Sequence, residues 1–468
     1  MERYDVAIIG AGMSGLAAGI RLAHFGKKVC IFERHNAPGG LNSFYAKDGR
    51  KFDVGLHAMT NFVDAKSSKR APLNRILRQL RINRDDLGLC PQKQSRIAFP
   101  GVDLRFTNEF TFFVSEIERV FPSQIDGFLS LVEDIKNYDN DSLTGEFVSA
   151  RKRLRLRISD PLLENMLFCP IMYYGSATVN DMDFGQFAIM FQALFLEGFA
   201  RPFDGIRPII RLLLQRYRET GGIRKMKTGI SQIIAEGNKV SRLELDNGEQ
   251  VQADVVLSSA GYEETLEMCS PKVEFDRSTY DDRLAFVETI SVFSEQPKSW
   301  GWGDDTIVFF NDSEVFDYQS PSDPVDLRSG VICIPNNFEY GEQGDLAEGV
   351  VRMTCLANFD SWDLYSENEY YEKKDQWFDS IWKASSQFLP KPESNPFASR
   401  IAVDMFTPKT VERFTWRKRG AIYGSKEKMK DGRIGFDNLF LCGTDQGFLG
   451  VVGSMVSGIA MANAHALR

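Results

Sequence analysis

Val6-Ala7-Ile8-Ile9-Gly10-Ala11-Gly12-Met13-Ser14-Gly15 begins the stretch that decides the fold, and Glu33 ends it. Four consecutive apolar residues read as a strand buried on both faces. The glycines come directly after it. An alanine-rich helix is predicted from about Ser14 to Phe25, with Gly26 as its terminator. Lys28-Val29-Cys30-Ile31-Phe32 reads as a second strand with Glu33 at its end. Gly10 permits a tight turn, Gly12 lets the backbone approach a pyrophosphate, and Gly15 lets helix and strand pack closely. Met13 and Ser14 open the helix, whose N-terminal N–H groups and dipole favour phosphate. A carboxylate at Glu33 accepts hydrogen bonds from ribose hydroxyls and repels a 2′-phosphate. Strand, glycines, helix, strand and acid in this order predict a Rossmann-type dinucleotide site.

The rest of the chain sets bounds. At 468 residues it is too long for one ordinary core, so two domains are expected. Its 43% hydrophobic and 26% charged residues are a globular balance. The formal charge of −8 argues against a nucleic-acid partner, which needs a basic footprint. The 36 phenylalanines read either as a Phe-rich core or as the lining of a tunnel for a long apolar substrate. Seven widely spaced cysteines with no C-x-x-C pair imply reduced thiols and a cytoplasmic setting. The four histidines, His24, His35, His57 and His465, have no metal-ligand spacing. Met1 to Asp5 leads directly into a strand, so no secretory leader is expected. The glycine-rich run from Gly447 to Leu467 is expected to be a buried helix and not a membrane span.

The residues beyond Glu33 narrow the cofactor. Arg34, Pro38-Gly39-Gly40-Leu41-Asn42-Ser43 and Gly49 to His57 resemble the FAD-dependent family of phytoene desaturases, carotenoid isomerases and retinol saturases. That family carries a second Gly-Gly motif and then a "dG-x-x-F-D-x-G" stretch, matched here by Gly39-Gly40 and by Gly49 to Gly55. Further resemblance lies in Pro202-Phe203-Asp204-Gly205, in Thr407 to Thr410, in Gly420 to Gly424 and in Asn438 to Asp445. The resemblance implies FAD. It places Gly40, Leu41, Asn42 and Ser43 beside the pyrophosphate and ribityl chain, with Arg34, Leu56 and His57 also at the cofactor. It puts the Ile230 backbone at the adenine, Ala260 at a strand end beside it, and Gly443 and Asp445 near the ribityl chain and phosphate. Val451 and Val452 open a helix whose N-terminus faces the flavin pyrimidine edge. Asp53 is expected to be structural. One departure stands out: Gln446-Gly447-Phe448-Leu449 replaces the family's Pro-Gly-rich segment after the acid.

The expected architecture is α/β, with a discontinuous Rossmann-type FAD domain of the amine-oxidase and phytoene-desaturase kind. It comprises residues 1–75, 200–280 and 400–468. Residues 76–199 and 281–399 would form a mixed α+β substrate domain. Within the first insert, Arg151, Lys152, Arg153, Arg155 and Arg157 read either as a solvated helix face or as a membrane-docking patch at residues 151–157. The latter would place the protein peripherally on a cytoplasmic membrane face. The run containing Phe187 and Phe191 is apolar nearly all round, as a core helix or a substrate tunnel would be. Tyr173 and Tyr174 are further candidates for the substrate channel.

The expected activity is hydride transfer to or from flavin N5 at C–C bonds of a long apolar lipid, isoprenoid, carotenoid or acyl. Desaturation, saturation and isomerisation all remain open. No acid–base pair stands out. His57 is the one catalytic candidate, the other reading being a neutral histidine that fills the flavin pocket. A flavin amine oxidase and a non-catalytic prenyl-lipid carrier of the GDP-dissociation-inhibitor type are the alternatives. The first lacks a visible aromatic-cage counterpart. The second would lack a full FAD site. No metal site is expected, and the oligomeric state is open.

Overall fold

The computed structural model describes residues 1–55, 57–63, 71–138, 147–276 and 283–467. The strand Glu2–Ile9 lies at the centre of an eight-stranded sheet, parallel to Val29–Glu33 on one side and Gln250–Ser258 on the other. Its side chains alternate between two cores, as the period of a strand requires. Val6 and Ile8 pack on the helical side, and Ala7 and Ile9 on the opposite side. Ile223–Met226 extends the parallel run beyond Val29–Glu33.

Gln250–Ser258 changes partners along its length. Its first residues pair antiparallel with Lys239–Leu245, the hairpin strand ended by Asn247-Gly248. Its last residues pair in parallel with Leu439–Leu441. The sheet is thus assembled from three distant parts of the chain. Cys269–Ser270, at its edge, pairs with Ile230–Glu236.

The helix Met13–His24 is held between this sheet and the helix Gly450–His465 by two close approaches. A Cβ at Gly15 would lie 2.1 Å from the Gly10 carbonyl oxygen, and one at Gly458 would lie 2.0 Å from the Ser14 carbonyl oxygen. Only glycine permits either contact. The helix Gly450–His465 is largely buried, and no helix among the described residues is long and apolar enough to cross a membrane.

A second, seven-stranded sheet takes strands from both inserts. Ser95–Phe99 and Val102–Phe106 come from the first, and Ala285–Phe293, Ile307–Asn311, Ser329–Cys333 and Gly349–Ala357 from the second. Arg400–Phe406, grouped by sequence with the cofactor domain, pairs with Ala285–Phe293 and belongs to this second sheet. All nine residues of Ala285–Phe293 are buried, as a strand covered on both faces demands.

The phenylalanines concentrate beneath this sheet. Phe113 stacks on Phe195 with ring centroids 4.6 Å apart, and Phe106 meets Phe195 edge-on at 5.0 Å. Phe187 and Phe191 are fully buried in the same cluster. In the basic stretch, Arg151 and Arg155 converge on Glu164 at 2.6 and 2.7 Å, and Arg157 pairs with Asp134 at 2.9 Å. Three of its five cations are therefore tied to acids. All seven cysteines are buried and none forms a disulfide.

Gly458→Val would drive a branched side chain into the Ser14 carbonyl. We expect a loss of about 1–3 kcal/mol from overpacking, read as a lower urea midpoint with an unchanged slope.

Candidate functional site

A cavity of about 530 Å³ runs from the glycine turn of the first sheet to the inner face of the second. This is the size of a small-molecule or cofactor site at a domain interface. At the first-sheet end, Gly10 takes a φ of +96°, and the space where a Cβ of Gly12 would point is open for 4 Å. Gly12 caps the helix Met13–His24, and no side chain bonds to the helix's first N–H groups. Those donors are left for a ligand.

The second glycine pair has a visible physical reason. Gly39 donates its N–H to the Ala11 carbonyl at 2.9 Å, and its φ is +112°. A Cβ at Gly40 would lie 3.4 Å from the Gly12 Cα. A second stretch of backbone is thereby laid against the first turn. Glu33 braces that turn: one carboxylate oxygen accepts from the Ala11 N–H at 2.7 Å, the other from the His35 N–H at 2.8 Å. Each oxygen keeps a lone pair for a further donor.

Arg34 closes this end. Its guanidinium donates to the Ile230 carbonyl at 2.9 Å, pairs with Asp246 at 3.3 Å and stacks on the Trp416 ring at 3.4 Å. The sequence gives no sign of a role for Trp416, whose left-handed backbone (φ +62°) turns it over Arg34.

His57 stands at the junction with the second sheet. Its Nε2 lies 3.2 Å from a Glu288 oxygen and 3.3 Å from the Thr354 hydroxyl. The same Glu288 oxygen accepts from Arg352. Arg352 in turn donates to the Asp53 and Val54 carbonyls at 3.1 and 2.9 Å. Burial raises the Glu288 carboxyl, but Arg352 and His57 outweigh it and hold the group below its ordinary value. Glu288 is therefore a fixed anion that orients the imidazole. Asp53 pairs with Arg201 at 2.6 Å, and a Cβ at Gly205 would meet its carboxylate at 2.0 Å, so Asp53 is structural as expected.

Most of the predicted positions converge on this cavity. Gly10, Gly12, Met13, Ser14, Glu33, Arg34, Gly40, Leu41, Asn42, Ser43, His57, Tyr173, Tyr174, Ile230, Ala260, Gly443 and Val451 all line it. Leu56 lies outside the described residues. Gly15 and Val452 stand behind the lining, Gly15 against the Gly10 carbonyl and Val452 in the helical core. Phe187 and Phe191 do not reach the cavity: their rings are consumed by Phe–Phe packing, with centroids 5.1 Å from Phe168 to Phe187 and 5.0 Å from Phe191 to Phe195.

Asp445 stands behind the cavity wall. Its carboxylate does not line the cavity. It accepts from the Tyr262 and Ser425 N–H groups at 2.7 and 2.8 Å and pairs with Arg417 at 3.2 Å. Burial would raise its pKa, but Arg417, Lys428 and the two N–H donors hold it far below the ordinary carboxylate value. The group that does reach the cavity is Arg417, a buried cation that also donates to the Ala260 carbonyl at 3.1 Å. Asp445 acts by holding it.

The unusual segment after Asp445 sorts itself. Leu449 lines the cavity, whereas Phe448 packs against Gly453. The helix Gly450–His465 begins beside the cavity with no side-chain cap. Its free N–H groups and positive dipole end favour negative charge there.

A model of the NAD(P)-binding Rossmann-like domain matches residues 8–80. Prolycopene isomerase 2, chloroplastic, of an Oncidium hybrid is 22% identical, over 99% of this chain and 84% of that protein. The 4,4'-diaponeurosporene oxygenase of Staphylococcus aureus is 22% identical, over 94% and 93%. The chain resembles the phytoene desaturase and carotenoid isomerase group along its whole length. Among solved structures, an oxidoreductase of Methanosarcina mazei matches with a TM-score of 0.67 at 16% identity, over 99% of this chain and 100% of that one. Cyclohexylamine oxidase of Brevibacterium oxydans matches with a TM-score of 0.61 at 14% identity, over 99% and 98%. The fold is that of the amine-oxidase and phytoene-desaturase type, a Rossmann-type sheet joined to a second sheet.

Asp445→Asn should leave Arg417 short of a buried counter-charge and cost about 3–5 kcal/mol at neutral pH. Because the native carboxyl is depressed, its stabilisation is present above the unfolded value. The gap between wild type and variant should therefore narrow as the pH falls below about 4, measured by denaturant titration at each pH.

Proposed function

We propose that this chain is an FAD-dependent oxidoreductase acting on C–C bonds of an elongated apolar lipid of the isoprenoid or carotenoid kind. The observation that carries this reading is one cavity joining the glycine turn and Glu33 to a wall of Tyr173, Tyr174, Phe286 and Tyr423. The open cradle above Gly12 and the uncapped helix behind it fit a pyrophosphate. Two relatives named for the carotenoids prolycopene and diaponeurosporene support the substrate class.

FAD, when bound, would supply the hydride acceptor or donor. The chain's own residues divide the remaining work. Glu33 would hold the ribose hydroxyls, and the N–H groups after Gly12 would hold the phosphates. The N-terminus of Gly450–His465 and the Arg417 guanidinium favour negative charge at the flavin end of the cavity. His57 lines the cavity between the two sheets with its Nε2 engaged by Glu288 and Thr354, which leaves Nδ1 to take or give a proton. The aromatic wall excludes water and aligns the chain of the lipid.

Purified protein should absorb near ~450 nm, as bound flavins do, and release the chromophore on denaturation. Glu33→Ala should lose most of that band with unchanged circular dichroism. A wild type that stays colourless after incubation with excess FAD overturns the reading. His57→Gln should keep the flavin and lower turnover of an isoprenoid polyene by about 10²-fold, measured by chromatography of the extracted lipid. Unchanged turnover would remove His57 from the chemistry.

A further inference from the structure

Two aromatic rings stand where the cavity meets solvent. Phe414 and Trp416 are 54% and 56% exposed, yet both line the cavity. They lie at the end of the helix Pro408–Thr415, which follows the edge strand Arg400–Phe406 of the second sheet. Facing them are Arg34 and His35, which follow the strand Val29–Glu33 of the first sheet and also line the cavity. The Arg34 guanidinium lies 3.4 Å from the centre of the Trp416 ring, and Phe414 meets the His35 ring edge-on with centroids 5.9 Å apart. Two ring pairs thus bridge chain segments from the two sheets.

The Trp416 pair is costly to build. The chain turns left-handed at Trp416, with φ +62° and ψ +10°, at a helix end where glycine is the usual residue. A bulky side chain is disfavoured in that conformation. An exposed ring on a guanidinium returns little of that cost. Strain of this kind persists at ligand clamps, where a bound group completes the contact. Arg34 is set from behind by the Ile230 carbonyl and by Asp246, and a Cβ at Gly229 would lie 2.6 Å from its Nε.

The order of groups in a dinucleotide says what lies against these residues. With the pyrophosphate at Gly12 and the ribose at Glu33, the base extends past Glu33 and away from the phosphates. The cavity there is bounded by Arg34, Gly229, Ile230 and Trp416. Aromatic faces and a guanidinium plane suit a flat purine.

We propose that Trp416 and Phe414, closed onto Arg34 and His35, form a clasp over the purine of FAD, and that this clasp governs how fast the cofactor leaves. The inference rests on the reading of this cavity as an FAD site and adds the residues that hold its far end. FMN has no purine and escapes the clasp, whereas ADP is gripped by it.

The test follows FAD release from the loaded full chain by the recovery of flavin fluorescence on dilution. Binding of ADP and of FMN to the same chain stripped of flavin is measured by calorimetry. Trp416→Gly removes the ring and suits the left-handed backbone, so the flavin-free variant should melt no lower than wild type. It should release FAD about tenfold faster and weaken ADP to a similar degree, with FMN unaffected. Trp416→Phe keeps a flat ring and should restore most of the retention. Phe414→Ala should speed release as well, by less. Unchanged FAD release in Trp416→Gly and in its combination with Phe414→Ala overturns the clasp and leaves the FAD reading intact. So does a loss shared equally by FMN and ADP, which marks general loosening of the site. If wild type binds neither FAD nor ADP, the FAD reading itself falls, and the clasp with it.

Discussion

Backbone meets backbone without an intervening side chain at Gly15 and again at Gly458, and the cofactor end of the molecule hangs on those two contacts. The first seats the helix Met13–His24 on its strand, and the second presses the helix Gly450–His465 onto its other side. Together they fix where two helix N-termini stand around one cavity. A single methyl at either contact would move a helix, and with it the unpaired N–H groups that make the cavity hospitable to anionic ligand groups. The Gly12–Gly39–Gly40 approach extends the same device to the turn itself.

A different kind of interaction joins the two sheets. Asp53, Arg201 and Arg207 form one buried polar cluster, and Glu288, Arg352 and His57 another, linked through the Asp53 and Val54 carbonyls. Buried ion pairs add little net stability relative to apolar packing, but each partner is expensive to leave alone. Such clusters therefore specify how the sheets meet more than how strongly. They set the imidazole of His57 at the boundary, facing the chamber.

How much of this is legible in the sequence depends on range. The βαβ unit is legible because turn, helix and acid lie within Gly10 to Glu33, and each residue type has one local job. Gly39-Gly40 is legible through resemblance, although its reason, a backbone laid on Gly12, appears only in three dimensions. Glu288 is not legible: it lies far from His57 in sequence, on a strand that is otherwise buried apolar residues with Thr289 and Ser291. Arg417 is equally silent, one cation in the run Arg417-Lys418-Arg419. For Asp445 the neighbourhood is legible but the direction is not, since no sequence pattern reports which way a buried carboxylate points. Phe187 and Phe191 show the same limit. Periodicity identifies a buried helix but cannot separate a tunnel wall from a core.

The strand Gln250–Ser258, which exchanges its hairpin partner for Leu439–Leu441 midway, has a consequence for how the molecule is made. The ribosome delivers Gly10 to Gly15 long before the strand Leu439–Leu441 and the helix Gly450–His465 that complete the cavity around them. For most of its synthesis the nascent chain carries an unfinished cleft with one sheet edge unpaired. Contacts of such long sequence separation form slowly, and exposed strand edges invite pairing with other chains. A chain interrupted before Leu439–Leu441 would keep that edge open to aggregation.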